Sequence, residues 1–279
     1  MSSGQNKNDR NRKIIVFLIV IVLVMGTIMI GLYRKMKTLE PIVDEKPISD
    51  IEKEVVVKSA GKIAIIIDDF GYRNDAVSDG FLKLKTKLTY AVIPGHEHSR
   101  HMSKKAKMEG FEVIVHMPMG SNIPSIGEEE YRLISSMTSL EIEQRVEKVL
   151  QHLPEAVGMN NHQGSKATVD LRVMNVLGTV LKQNGKYFLD SRTTKYTQAE
   201  TVMRSLDVPS GRRDVFLDND FDEDLIRLQF RELADKARKH GFAVGIGHAK
   251  QHTLNVLQRE IPKLEKEHFE FVYVSEVVN

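Results

Sequence analysis

The segment that decides the fold is Ile63–Tyr72, which reads Ile-Ala-Ile-Ile-Ile-Asp-Asp-Phe-Gly-Tyr. A short, continuous, isoleucine-rich run is typical of a strand that is buried on both faces, as in a parallel sheet. Side chains alternate along a strand, so Asp68 and Asp69 are expected to point in different directions and to have different roles. Because α/β proteins place their chemistry at the carboxyl ends of parallel strands, this pair is a candidate site. A metal hydrolase, a phosphatase and a phosphoaspartate receiver would each use such carboxylates.

Strand-like and helix-like segments alternate from about Gly61 to the C-terminus. Two amphipathic helices carry clear end signals, because a capping box opens one at Thr138 and Gly241 closes the other after His240. This alternation predicts an α/β domain with a parallel sheet or a β/α barrel. The other candidate strands are Leu88–Ile93, Phe111–Val115, Ala156–Met159, Tyr187–Leu189, Val215–Leu217, Phe242–Ile246 and Phe271–Val274.

The N-terminal segment predicts a membrane anchor. A basic tail of residues 1–13 precedes the 19 uncharged residues of Ile14–Leu32. At ~1.5 Å per residue, such a helix nearly spans a hydrocarbon core of ~30 Å. No A-x-A cleavage pattern follows, which favours an uncleaved, single-pass signal anchor over a cleaved signal peptide or a buried core helix. The positive charge before the span predicts a cytoplasmic tail and a domain outside the cytoplasm.

Two further segments lack any periodicity. Residues 33–60 contain prolines and many charges and are expected to link the span to a globular domain of residues 61–279. Residues 120–137 form a long stretch with Pro124 and Gly127 inside the domain. A loop of this length in a compact domain is often functional, so we expect a binding loop.

The composition excludes several classes of site. The formal net charge is +2 and the basic residues are spread along the chain, which gives no reason to expect nucleic acid as a partner. The sequence contains no cysteine, so disulfides and thiolate metal sites are excluded. Any metal must therefore be held by His, Asp or Glu side chains.

Polar or ionisable residues follow nearly every predicted strand, and they are expected to meet at one edge of the sheet. Histidine is a minor residue, yet four of the ten histidines fall within a residue or two of a strand end. One of them, His96, begins a polar helix and is interpreted as solvated. The polar strand ends are Asp68-Asp69, His96, His116, His162, Asp190 with Arg192, Asp218 and His248.

This set of residue types indicates a divalent metal site. Imidazole and carboxylate ligands suit Zn²⁺ or a similar ion, which polarises a carbonyl group and lowers the pKa of a bound water. A second carboxylate can then act as the base, and another histidine can protonate the leaving group. Asp190 and Arg192 form either a structural ion pair or a pair that orients the base, and Asp218 is interpreted as structural.

The polar strand ends belong to longer motifs. These are Ile-Ile-Ile-Asp68-Asp69-Phe-Gly-Tyr, His116-Met-Pro-Met, Asn161-His162-Gln-Gly-Ser-Lys-Ala-Thr168, Phe-Leu-Asp190-Ser-Arg192 and Gly-Ile-Gly-His248. In this order they resemble the divergent polysaccharide deacetylase family, a branch related to the NodB-homology carbohydrate esterases. The resemblance runs from about Lys62 to the C-terminus. It implies a distorted (β/α)7-type barrel and metal-dependent removal of acetyl groups from a glycan.

The resemblance also implies roles for individual residues. Asp68 matches the base, and Asp69 matches a metal ligand. His116 matches a metal-binding histidine, and His162 is the best match for the second one, with Zn²⁺ as the expected ion. His248 matches the late histidine that acts as the acid.

Two further positions match the family without a firm role. These are Asp190 and Arg192, which we group with the catalytic residues. Without tryptophan, the expected surfaces for stacking on a sugar ring are Phe70, Tyr72 and Tyr131.

The sequence therefore predicts a membrane-anchored, metal-dependent hydrolase that removes N-acetyl groups from a cell-wall or other extracellular polysaccharide. Gly120 stands where this branch commonly has Glu, and no H-x-x-x-H pair follows His116. These departures keep open a second hypothesis, a catalytically degenerate glycan- or protein-binding module that regulates cell-wall remodelling. A phosphoaspartate or phosphatase site would call for Lys or Thr at the later strand ends instead of histidines.

Overall fold

The computed structural model describes residues 4–37, 59–123 and 127–279. The chain divides into two compact units, Met1–Val56 and Val57–Asn279. In the first unit, helix α1 (Gly4–Lys37) contains the apolar stretch Ile15–Lys37, whose length and composition fit a membrane span or a signal sequence. The helix includes most of the predicted basic tail and continues past Leu32 into the predicted linker. Residues 38–58 of that linker lie outside the described residues.

The second unit is an α/β domain in which every paired strand is parallel to its neighbours. The strands are β1 (Gly61–Phe70), β2 (Thr89–Val92), β3 (Glu112–Met119), β4 (Gly158–Gln163), β5 (Tyr187–Asp190), β6 (Ser210–Arg212), β7 (Val215–Phe216), β8 (Phe242–His248) and β9 (Phe269–Val272). The helices are α2 (Ala76–Leu82), α3 (Ser99–Met108), α4 (Ser139–His152), α5 (Leu171–Gln183), α6 (Ala199–Ser205), α7 (Glu223–His240) and α8 (Gln251–Lys266).

The strand order is β6-β5-β4-β3-β2-β1-β8-β7, and β9 pairs with the first half of β1. Within the described residues no ladder joins β6 to β7, so the sheet is a curled half-barrel rather than a closed barrel. The predicted α/β fold of the distorted barrel type is confirmed. Strand β6 escaped prediction because Ser210-Gly211-Arg212 has no apolar run.

The isoleucine run packs on both faces of the sheet, as its composition predicts. Ile63, Ile65 and Ile67 lie in a core cluster with side chains of the surrounding helices. Ala64 and Ile66 lie in a second cluster, formed by residues of other strands and of the C-terminal segment. All five are fully buried, and at about 1.5–3 kcal/mol for each large aliphatic side chain this strand is a main source of stability.

Helix ends follow the predicted signals. The Thr138 hydroxyl accepts a hydrogen bond from the Glu141 backbone N–H, and the Glu141 carboxylate accepts one from the Thr138 backbone N–H. These two bonds form the capping box of α4. Gly241 ends α7 with φ 88°, a conformation that L-residues other than glycine rarely adopt. Both signals therefore locate helix ends that set the position of the strand that follows.

A polar network closes the amino ends of the strands, opposite the predicted site. Glu112, at the start of β3, accepts hydrogen bonds from Thr89 Oγ1 (2.8 Å) and Tyr187 OH (2.9 Å). The Ser275 backbone N–H also donates to it, at 3.3 Å. These bonds attach the C-terminal segment to β2, β3 and β5, because the buried carboxylate requires several donors.

Candidate metal centre

The end of β1 departs from regular strand geometry. Asp69 has φ 62°, and the pairing of β1 with β2 shifts register between Ile67 and Phe70. Such a bulge breaks the alternation of side chains. Consequently both carboxylates face His116, with Asp68 Oδ1 3.5 Å from Nδ1 and Asp69 Oδ1 3.5 Å from Nε2. The expectation that the two carboxylates point in different directions is wrong, because it assumed a regular strand.

Three potential ligand atoms converge at this point. Asp69 Oδ1 lies 3.5 Å from His116 Nε2 and 3.4 Å from His162 Nδ1, and the two ring nitrogens are 3.0 Å apart. A tetrahedral ion with bonds of about 2.0–2.1 Å would place its ligand atoms about 3.3–3.4 Å apart. Strands β3 and β4 extend further than predicted, so both histidines lie within strands whose register fixes their spacing.

The three side chains fit a divalent cation in their hydrogen bonding as well. Asp69 Oδ1 is buried and has no hydrogen-bond partner in the described residues. Asn160 Nδ2 donates to Asp68 Oδ1 at 2.8 Å, so Asn160 Oδ1 must accept from His116 Nδ1, also at 2.8 Å. This bond places the His116 proton on Nδ1 and leaves the Nε2 lone pair directed at Asp69 and His162. The pair of facing ring nitrogens then requires a proton or a cation between them.

The electrostatics of the cluster favour positive charge. Burial disfavours ionisation of His116, but the charges of Asp68 and Asp69 outweigh it and raise the pKa of His116 to about 9. Burial likewise opposes ionisation of Asp69, but its contacts with His116 and His162 hold the pKa of this carboxyl well below its usual value. Burial raises the pKa of Asp68 above its usual value. A carboxylate that holds protons more strongly is better suited to act as a base.

His248 lies on the other side of Asp69, with its Nε2 3.9 Å from Asp69 Oδ2. Its Nδ1 donates to Asp218 Oδ1 at 2.8 Å, while Asp218 Oδ2 accepts from the His248 backbone N–H (2.7 Å) and from Thr253 Oγ1 (2.6 Å). Burial opposes the charged imidazole, but Asp218 raises the pKa of His248. Asp218 therefore orients His248, a role that the sequence interpretation missed. Its place at the end of β7, beside the β8 histidine, was the available signal.

Asp190 and Arg192 are held together, but through the backbone. Asp190 is almost fully buried, and its Oδ1 accepts from the Arg192 backbone N–H at 2.8 Å. Its Oδ2 accepts from Thr197 Oγ1 at 2.8 Å. Arg192 has φ 50°, so these bonds stabilise a left-handed turn. Burial raises the pKa of Asp190. Of the two roles left open for this pair, the side-chain ion pair is absent from the described residues. The Arg192 side chain instead lines a cavity.

A cavity of about 480 Å³ opens over the cluster. Of the expected stacking surfaces, Phe70 and Tyr131 are buried, and the Tyr72 hydroxyl donates to Glu128 Oε1 at 2.6 Å. Phe216 is the aromatic side chain that lines the cavity in the described part of the chain. The residues that line the cavity include Asp68, His116, His162, Ser191, Arg192, Arg213, Phe216 and His248.

The predicted binding loop reaches the same cavity. Ser121 and Ile123 line it, whereas residues 124–126 lie outside the described residues. Gly120 begins the loop, and its carbonyl accepts from the backbone N–H groups of Lys166 and Ala167, both at 3.0 Å. A Cβ at position 120 would lie 3.2 Å from Ile134 Cγ2, so a larger residue there would displace Ile134. The three-ligand cluster uses no atom of residue 120.

Comparisons with known proteins identify relatives of this chain. The family model for divergent polysaccharide deacetylases matches residues 65–278. The uncharacterized protein YibQ of Escherichia coli K12 is 40% identical over 207 residues, which are 74% of this chain and 64% of that protein, so the match spans less than two thirds of this relative. An uncharacterized protein of Haemophilus influenzae is 34% identical over 208 residues, covering 74% and 73% of the two chains.

A solved structure shares the fold. An uncharacterized protein from Agrobacterium tumefaciens C58 superposes with a TM-score of 0.74 over 80% of this chain and 91% of that one. The two sequences are 18% identical, so the likeness concerns the fold alone. It supports the description of a curled parallel sheet surrounded by helices.

Proposed function

Because this chain belongs to the divergent polysaccharide deacetylase family, we propose that it is a metal-dependent hydrolase that removes N-acetyl groups from an extracellular polysaccharide. The observation that carries this proposal is the convergence of Asp69 Oδ1, His116 Nε2 and His162 Nδ1 within 4.8 Å of one another. Asp68 and His248 line the cavity over this cluster, where a base and an acid are needed.

Asp69, His116 and His162 would hold the ion. When bound, a divalent ion such as Zn²⁺ would polarise the acetamide carbonyl and lower the pKa of water at the site. Asn160 keeps His116 in the tautomer that this role needs, through the bond to Nδ1. Hydrogen bonds of this kind to the second ring nitrogen fix the orientation of a ligand histidine and raise its basicity.

Asp68 acts as the base in this proposal. Its Oδ1 accepts from Asn160 Nδ2, which fixes the carboxylate plane and leaves Oδ2 to take a proton from the attacking water. The side chain is almost fully buried, and burial raises its pKa, so it accepts this proton more readily than an exposed aspartate would.

His248 acts as the acid. Asp218 Oδ1 accepts the hydrogen bond from Nδ1–H, so Nε2 is the ring atom that can deliver a proton to the departing amine. Phe216 packs edge-on against the His248 ring, with ring centroids 5.4 Å apart, and limits its rotation. The pair of Asp218 and Phe216 therefore fixes the direction in which the proton is delivered.

Helix α1 supports a proposal for where the enzyme is located. We infer that Ile15–Lys37 is an uncleaved single-pass anchor and that the domain lies outside the cytoplasm, where cell-wall or other extracellular glycans are accessible. A protease added to intact spheroplasts should degrade the domain while residues before the span remain protected. Complete protection of the domain would contradict this location.

Asp68→Asn tests the hydrolase assignment. Asparagine cannot accept the proton, so release of acetate from N-acetylglucosamine oligomers should fall by about 10²–10⁴-fold while the bound metal stays near the wild-type amount. Asp207→Asn, at an exposed aspartate away from the cavity, is the matched control. Wild-type activity in Asp68→Asn would remove Asp68 as the base. A wild-type protein that binds no metal and releases no acetate would favour the degenerate binding module.

A further inference from the structure

Two arginines line the same cavity as His116 and His162, two of the candidate metal ligands. Arg192 lies in the turn after β5, and Arg213 follows β6. The Arg213 guanidinium donates from Nε to the Ser191 carbonyl (2.7 Å) and from Nη2 to the Arg192 carbonyl (3.1 Å). Since the Arg213 backbone N–H also donates to the Asp190 carbonyl at 2.9 Å, the two arginines form one rigid unit.

Neither guanidinium is neutralised by the described residues. Arginines elsewhere on the domain pair with carboxylates, for example Arg204 with Glu200 at 2.7 Å. Within the described residues, Arg192 and Arg213 have no such partner within the 4.0 Å limit of an ion pair. Burial and the neighbouring charge of Arg192 both lower the pKa of Arg213, and nearby carboxylates only partly offset this. Like charges that line one cavity disfavour each other, and a bound anion would relieve this repulsion.

A third polar group in the cavity lacks a partner. Ser191 is 6% exposed, lines the cavity, and its Oγ has no hydrogen bond within the described residues. A buried hydroxyl without a hydrogen-bond partner is unfavourable, so it indicates a group that is supplied from outside the protein. Ser191 lies directly before Arg192 in the chain, within the turn that Arg213 holds.

We propose that Arg192, Arg213 and Ser191 form a subsite for an anionic substituent, a carboxylate or a phosphate ester, on the acetylated sugar. Guanidinium groups recognise both anions through pairs of parallel N–H donors, and the Arg213 Nη1 hydrogens are not used by the bonds described above. This inference rests on the proposed function and narrows its substrate class to acidic glycans.

The size of the cavity agrees with such a ligand. Its volume of about 480 Å³ lies within the range of pockets that enclose whole small molecules, so it exceeds the needs of an acetamide group alone. Asp68 is the one carboxylate among its lining residues in the described part of the chain, whereas two arginines are present. The lining residues therefore include more arginines than carboxylates.

A different role for Arg213 makes a different prediction. The charge of Arg213 favours ionisation of Asp68. In this alternative role, Arg213 would affect catalysis through Asp68 and would not bind the substrate. In that case its replacement would lower turnover equally on neutral and acidic sugars. An anion subsite would instead lose affinity for acidic sugars alone, and this difference separates the two roles.

The test uses the full chain in detergent and isothermal titration at low ionic strength, where charge interactions are least screened. The probes are a neutral N-acetylglucosamine tetramer and two acidic oligosaccharides of equal length, one with carboxylates and one with phosphate esters. The wild type should bind at least one acidic probe about tenfold or more tightly than the neutral one. Whichever acidic probe binds more tightly identifies the anion.

Substitutions at the two arginines test whether they cause the preference for acidic oligosaccharides. Arg192→Gln should lower the acidic preference by about tenfold without loss of fold, because the Arg192 side chain makes no hydrogen bond within the described residues. Arg213→Lys keeps the positive charge but loses the paired hydrogen bonds to the Ser191 and Arg192 carbonyls. It should reduce the acidic preference less than Arg213→Gln does. Arg212→Gln is the matched control, since Arg212 pairs with Glu200 at 3.4 Å outside the cavity lining. It should leave the preference unchanged.

Equal affinity of the wild type for neutral and acidic probes would overturn the subsite. So would a preference that survives in the variant with both Arg192→Gln and Arg213→Gln. Acetate release from the same sugars separates this inference from the proposed function. Deacetylation without acidic preference overturns the subsite and leaves the hydrolase, whereas acidic preference without deacetylation supports the subsite and removes the hydrolase.

Discussion

Replacing Asp218 with asparagine tests how His248 is positioned. In the wild type, Asp218 Oδ1 accepts from His248 Nδ1, and Oδ2 accepts from the His248 backbone N–H and the Thr253 hydroxyl. Asparagine supplies only one acceptor atom. If that oxygen faces His248 Nδ1, the amide NH₂ meets the backbone N–H of His248, and one hydrogen bond to a charged acceptor is lost. If the amide is flipped, its NH₂ meets Nδ1 and prevents protonation of that nitrogen.

Both orientations have a cost that can be measured. A hydrogen bond to a charged group contributes about 1.5–3 kcal/mol, and the Thr253 hydroxyl can rotate to accept. The free energy of unfolding should therefore fall by about 1.5–3 kcal/mol. An imidazole that cannot carry its second proton cannot act as an acid, so kcat should fall by about 10²–10⁴-fold with KM nearly unchanged. Urea unfolding and acetate release measure the two effects separately.

Asp214→Asn is the matched control. The Asp214 side chain accepts from the backbone N–H of Val244 at 2.9 Å, also on β8, but it does not contact His248. Its amide oxygen can keep that bond, so we expect about 1 kcal/mol of lost stability and wild-type kcat. If Asp218→Asn loses stability but keeps kcat within threefold of wild type, Asp218 is structural and our account of His248 is refuted.

Two other variants test that the candidate site binds metal and that the opposite end of the sheet contributes only to stability. Asn160→Ala removes the hydrogen-bond partner of both Asp68 and His116, so metal affinity should fall by about 10–100-fold in a titration with a competing chelator. An unchanged affinity would show that Asn160 does not orient the ligand. Tyr187→Phe removes the 2.9 Å bond to Glu112, so urea unfolding should show a loss of about 1–2 kcal/mol with kcat unchanged. A lower kcat would contradict the separation of the two ends.

Much of the fold could be predicted because its signals are local. The five consecutive apolar residues before Asp68 predict a strand that is buried on both faces of a sheet. All five are fully buried in the structure. The rule that parallel strand ends share one edge predicts that the polar residues after β1, β3 and β4 lie close together. The choice of Asp69, His116 and His162 among them as ligands comes from the family resemblance. Capping residues such as Thr138 and Gly241 located helix ends because they satisfy backbone groups of their own helix.

Other features of the site depend on tertiary contacts, which no local sequence pattern predicts. The turn of Asp69 towards His116 results from a bulge in the pairing of β1 with β2. The role of Asn160 follows from its register opposite His116 on the neighbouring strand. Arg213 lies between two strands that are too short to show a periodicity, so its place in the cavity became visible only in three dimensions.

The central claim is that Asp69, His116 and His162 hold a divalent ion. The most direct test is a crystal structure of the protein grown with Zn²⁺, with anomalous scattering recorded on both sides of the zinc edge. We predict one anomalous peak about 2.0–2.2 Å from Asp69 Oδ1, His116 Nε2 and His162 Nδ1. A map with no peak among these three atoms, at saturating zinc, would contradict the claim.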